Sequence, residues 1–159
     1  MASNIRVFLA LLLVLMLMAC DPDPQATALS ERWPKHDWSQ NQPAIMVDIN
    51  NDGKKERALI GFGNRTAIVS VFIKENVNHL DFVEFFIDKP NQQNSICGLK
   101  AQLQIETQKF SLANNLDPTP TGYKHCAECE GLRVVDEKDC EPFHIYWDHD
   151  NQMLSWWRY

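Results

Sequence analysis

The sequence has no excess of positive charge. Fifteen lysines and arginines stand against 21 aspartates and glutamates, a formal net charge of -6. That balance excludes a nucleic-acid binder, which must gather cations against phosphate. No apolar run reaches the roughly 20 residues that a membrane-spanning helix requires. The longest apolar stretch before the small Ala19 is Val7 to Met18. No Gly-x-Ser-x-Gly, His-Glu-x-x-His or phosphate-loop motif occurs, so the common hydrolase and nucleotide-binding signatures are missing. No internal repeat is present, and beyond residue 20 no long segment carries a helical apolar stripe. What remains is a globular composition, 45% hydrophobic, 23% charged and 10% aromatic, over 159 residues. That excludes a disordered or collagen-like chain and suits one domain.

The first twenty residues read as an address. Met1 to Arg6 is short and polar with one positive charge, and the apolar run to Met18 has the length of a signal-peptide core. The stretch Leu17-Met18-Ala19-Cys20 resembles a bacterial lipobox. The resemblance implies cleavage before Cys20, lipid on its thiol, and a bacterial membrane anchor facing the periplasm. Several acyl chains on one residue hold stably where one would be marginal. Asp21 resembles the enterobacterial signal for retention in the inner membrane, so the inner membrane is favoured over the outer membrane. Residues 1–19 are then the leader, 20–43 a lipidated tether with four prolines, and 44–159 the globular domain. Trp33 and Trp38 are unusual in a linker, so the second half of the tether is expected to pack on the domain.

From Ala44 the chain reads as strands. Candidates are 44–49, 57–62, 66–74, 80–87, 132–135 and a C-terminal hairpin with arms 143–147 and 153–159. Leu99, Ala101, Leu103 and Ile105 alternate with polar residues, the period of a half-buried strand. The fold class is mainly β, a single small antiparallel sheet or sandwich, with Ser95 to Leu103 the place for a short helix. Gly61-Phe62-Gly63 begins like a dinucleotide loop, but Thr66 replaces the third glycine and a strand follows, so that reading is dropped.

The run Asp48-Ile49-Asn50-Asn51-Asp52-Gly53-Lys54-Lys55-Glu56 is the most chemically specific. Asp48, Asn50, Asp52 and Glu56 hold oxygen side chains at loop places one, three, five and nine. Gly53 allows a sharp turn at place six, and the Lys54 carbonyl is available at place seven. Calcium takes six to eight hard oxygens at such spacing. Leu59 stands where an EF-hand has its bidentate glutamate, and the flanks are strands. The loop resembles the strand-loop-strand calcium loops of FG-GAP repeats, with Glu56 where those usually have Asp. The resemblance covers about ten residues in one copy, so it implies a calcium loop and not a propeller. A plain hairpin turn is the alternative, because Asp-Gly between apolar runs is good turn chemistry. Lys54, Lys55 and Arg57 weigh against calcium by lowering the local negative charge.

With Cys20 committed to lipid, Cys97, Cys126, Cys129 and Cys140 remain, an even number that outside the cytoplasm reads as two disulfides. A 126–129 bridge closes a very short loop. The preferred pairing therefore joins Cys97 to one member of that pair and Cys140 to the other. A four-cysteine zinc site and a Cys-x-x-Cys redox pair are the alternatives.

His125 and His144 have the chemistry for acid–base work but read as surface or packed residues. Asp81, Glu84 and Asp88 read as a solvated face. In the terminal hairpin, alternation puts Phe143, Ile145 and Trp147 on one face and His144 and Tyr146 on the other. Trp156 and Trp157 must point oppositely, so one ring is expected outside the core. Tyr146, Trp156 and Trp157 are thus candidate binding aromatics. The functional expectation is a membrane-anchored, non-enzymatic periplasmic module that binds a protein partner, with calcium as its one candidate cofactor. Small acidic disulfide-bonded lipoproteins resemble inhibitors or immunity proteins against cell-wall hydrolases. The alternative is a calcium- or glycan-binding structural module of the envelope.

Overall fold

The computed structural model describes residues 23–38, 42–89, 91–107, 119–124, 126, 128–136 and 140–158. The leader, Cys20, Asp21, His125 and Tyr159 lie outside them. The fold is mainly β: among the described residues, nine strands form two sheets with one short α-helix. The first sheet runs β1 (Ile45–Val47), β2 (Glu56–Phe62), β3 (Thr66–Phe72), β4 (Leu80–Ile87) and β5 (Ser95–Ile96) in chain order. Its pairs are antiparallel except β4–β5, which is parallel. The second sheet is an antiparallel meander of β6 (Gln102–Thr107), β7 (Glu130–Val135), β8 (Phe143–Asp148) and β9 (Met153–Trp157).

The two sheets share one core. Ala58, Ile60 and Phe62 of β2 and Ala67, Val69 and Val71 of β3 meet Leu132, Val134, Phe143 and Ile145 of the second sheet. Successive strand residues point to opposite faces, and Leu59 and Phe72 accordingly leave this core for a second one on the outer side of the first sheet. That outer side is covered by α1 (Pro24–Arg32), which is why β2 and β3 read as nearly unbroken apolar runs. Leu29 of α1 is fully buried there, a contribution of roughly 1.5–3 kcal/mol.

This helix lies within residues 20–43, the stretch expected to be tether. Asp23 caps it by accepting from the Gln25 N–H at 3.0 Å, Pro24 opens it, and Asp23 also pairs with Arg57 of β2. After α1, Trp33 and Trp38 lie against the sheet as expected, with ring centroids 5.6 Å apart and Trp33 edge-on to Phe82 at 5.0 Å. Gly61 and Gly63 now have a packing role. A Cβ at Gly61 would stand 2.6 Å from the Trp38 ring, and one at Gly63 would stand 2.9 Å from the His36 ring. Beyond, the Gln42 side chain grips the edge of β6, accepting from Leu103 N–H at 2.6 Å and donating to Leu103 C=O at 3.1 Å.

The helix expected within Ser95 to Leu103 is not there. Ser95–Ile96 pairs beside β4 and Leu103 lies opposite Val134. Between them Cys97 is held by a disulfide and by its N–H on the Asp136 carboxylate at 2.7 Å. The disulfide pairing is also corrected: the bridges are Cys97–Cys140 and Cys126–Cys129, with Cα separations of 6.5 and 5.3 Å. Both separations lie in the range a disulfide spans. The chain leaving β5 and the chain entering β8 meet, whereas Cys126 and Cys129 bridge each other across a separation of three in sequence.

Candidate functional site

The Asp48–Glu56 run joins β1 to β2, antiparallel neighbours. It folds around its own carboxylates. Asp48 accepts the N–H groups of Asp52 at 3.0 Å and Gly53 at 2.9 Å, one on each oxygen. Asn50 Oδ1 accepts from Asp52 N–H and Asp52 from Lys54 N–H, both at 2.9 Å. Asn51 and Gly53 take the left-handed backbone, at φ 58° and 88°, that the tight turn demands and that Asn and Gly tolerate best.

Glu56 sits beneath this loop. Its residue is 1% exposed. It accepts the Ile49 N–H at 3.2 Å and the Asn50 amide at 3.3 Å, both neutral donors. Burial pushes its carboxyl up to about 7, opposed by the Ile49 N–H and aided by the negative charges of Asp52 and Asp48. The cations on either side do not relieve it. Lys55 pairs with Glu130 at 3.0 Å, and Arg57 pairs with Asp23. Glu130, at the start of β7, braces the loop from the other sheet. It accepts the Asp48 N–H at 2.8 Å, while its own N–H reaches Asn51 Oδ1 at 3.2 Å. Burial opposes ionisation of Glu130, but the Asp48 N–H and Lys55 outweigh it and hold the carboxyl below its ordinary range.

Among the described residues no three His, Cys, Asp or Glu side chains already stand as a metal-holding group. The chemistry of the donor set nonetheless suits a hard cation. Asp48, Asn50, Asp52 and Glu56 supply oxygens, and each oxygen that accepts one N–H keeps a second lone pair. The Lys54 carbonyl is the remaining donor of the expected set.

The aromatic end is used for packing. Trp156 is half-buried and turns inward, with centroids 5.3 Å from Phe143 and 5.9 Å from Phe85. Trp157 and Tyr146 take the outer face, as alternation requires, yet both are buried. Trp157 stacks on His144 at 3.8 Å, and Tyr146 donates to Thr121 C=O at 3.0 Å beneath the Tyr123 ring. His144 is oriented by Glu106, whose carboxylate lies 2.8 Å from Nδ1. Glu106 and Glu130 are partners that no local motif announces, since each reaches its place through strand pairing. Asp81 of β4, half-buried, does more than face solvent: its carboxylate accepts the Leu154 N–H of β9 at 2.6 Å and links the two sheets.

No described helix is long and apolar enough to cross a membrane. Comparison with known protein families, with curated proteins and with solved structures gives no match to this chain.

Proposed function

We propose that this chain is a non-enzymatic binding module of the bacterial cell envelope, anchored by lipid on Cys20 and facing the periplasm, whose Asp48–Glu56 loop takes calcium. One observation carries the calcium reading. Glu56 is a buried carboxylate served only by neutral donors, while the neighbouring cations Lys55 and Arg57 are committed elsewhere. A plain turn has no use for such a group, because a buried charge is costly unless paired. A divalent cation among Asp48, Asn50, Asp52, the Lys54 carbonyl and Glu56 supplies the missing charge. The expected affinity is at the weak extracytoplasmic end, with Kd of about 10⁻⁴–10⁻³ M. Thermal unfolding of the full chain in calcium and in chelator tests this. A rise in Tm that Asp48→Asn abolishes supports the site; no rise at millimolar calcium removes it.

A second reading follows from the acidic balance, 21 against 15. Such a surface steers basic proteins toward itself, which fits an inhibitor or immunity protein acting on a cell-wall hydrolase. Stoichiometric, salt-sensitive binding to one basic hydrolase would support it, and absence of binding across a panel would not.

A further inference from the structure

Beside the calcium-loop candidate, at the same end of the sandwich, three connections enclose an open cleft of about 710 Å³. They are the β1–β2 loop, the β3–β4 turn and the β8–β9 turn. The volume lies within the range of small-molecule sites, about 300–1,000 Å³. Each connection holds a non-glycine residue in the left-handed backbone: Asn51 at φ 58°, Lys74 at 59° and Gln152 at 55°. Residues held in that region are costly and gather at ligand sites. Lys74 and Gln152 themselves line the cleft.

The lining is of two kinds. Leu80, Met153 and Trp147 give an apolar wall, with Met153 48% exposed. Opposite in character are Asn50, Asp52, His79, His149 and Gln152. His149 is the most telling of these. Its Nε2 is buried with no hydrogen-bond partner among the described residues. Burial, and then the charge of Lys124, keep its imidazole below its ordinary value, so it enters neutral at pH 7. A buried polar atom without a partner calls for one. Charge at the cleft is mixed: Lys74, Asp52 and Asp81 all line it, and Asp81 is engaged by the N–H groups of Phe82 and Leu154. An anionic ligand has no concentrated counter-charge there, and of the two lining carboxylates Asp81 is already engaged by two N–H groups.

We propose that this cleft binds a short neutral saccharide. A pyranose ring offers an apolar C–H face to Leu80, Met153 and Trp147, and hydroxyls that donate and accept in turn to amides, a carboxylate and a neutral imidazole. The proposal rests on the binding-module reading and names its ligand class. The calcium loop supplies one wall through Asn50 and Asp52, yet the other two walls stand apart from it.

The test is an NMR titration of the full chain in detergent with triacetylchitotriose, maltotriose and the cationic chitosan trimer, each in calcium and in chelator. The expected result is that a neutral trisaccharide shifts amides of the three connections at a Kd of about 1 mM or below. His149→Phe and Gln152→Ala should each weaken it about fivefold or more. Neither variant lies in the calcium loop, and the calcium-dependent Tm of the same protein is read separately, so either reading can fail alone. No shift with a neutral trisaccharide at about 10 mM, response to the cationic trimer alone, or shifts that both variants leave unchanged would overturn the proposal.

Discussion

Two turns of this domain are rich in aspartate and asparagine, and they treat negative charge in opposite ways. In the β8–β9 turn, Asp148 is wrapped by its own loop. It accepts the N–H groups of Asp150 and Asn151, both at 2.9 Å, and the Asn151 amide at 2.7 Å. The Asn151 side chain, then its N–H, hold the carboxyl below its ordinary value. In the β1–β2 loop the short acids are satisfied in the same manner, but Glu56 is carried underneath and pushed up. Acidic composition therefore does not mark an ion site by itself. The distinguishing feature is a buried carboxylate left without a counter-charge.

Calcium should separate the two turns most strongly. At a hundredfold excess over Kd, binding stabilises by about 2.7 kcal/mol, which is roughly 5–10 °C in Tm for a domain of this size. Asp48→Asn should abolish that rise, while Asp148→Asn should lower the baseline Tm and leave the calcium increment in place. Scanning calorimetry of the three proteins reads both effects.

Next comes pH. The folded Glu56 carboxyl lies near 7 against an ordinary 4.5, so the native state holds its proton more tightly. In chelator its stabilising contribution is complete below about pH 4.5 and is lost as pH rises through about 7. The loss is on the order of 1–3 kcal/mol, and Glu56→Gln should flatten this part of the profile. Asp148 works with the reverse sign. Its carboxyl is lowered from 3.8, so its contribution is present above that value and disappears as pH falls through the lower folded value. Denaturant titrations between pH 3 and 8, at constant ionic strength, check both signs.

The smallest effect concerns the strained positions. Lys74→Gly should raise stability by about 0.5–1 kcal/mol, since glycine adopts the left-handed backbone without the Cβ penalty. An unchanged or lowered midpoint in urea would show that the Lys74 side chain outweighs the strain.

Much of the sheet structure was legible from apolar runs and turn residues. The strands from β2 to β4 and the terminal hairpin fall where period and β-branching put them. The helix α1 was not legible as a stripe because Leu29 is its one buried residue. Its signal was local instead: Asp23 before Pro24, a cap followed by the residue best suited to a first turn. The candidate loop was legible in its oxygens, but the partners of its cations were not. Lys55 and Arg57 are adjacent to it in sequence, but their partners Glu130 and Asp23 are far along the chain. The cysteine pairing failed for a related reason, as loop length says nothing about which chain segments meet.

The docking of α1 shortens the chain that the proposed anchor on Cys20 would leave free. Asp23 is already fastened to Arg57 and caps a helix seated on the first sheet. With lipid on Cys20, only the three links from Cys20 to Asp23 remain as leash, at most about 11 Å of extended chain. Under the proposed anchor the domain would be berthed against the bilayer rather than floated above it, and a partner would have to be met at the membrane surface.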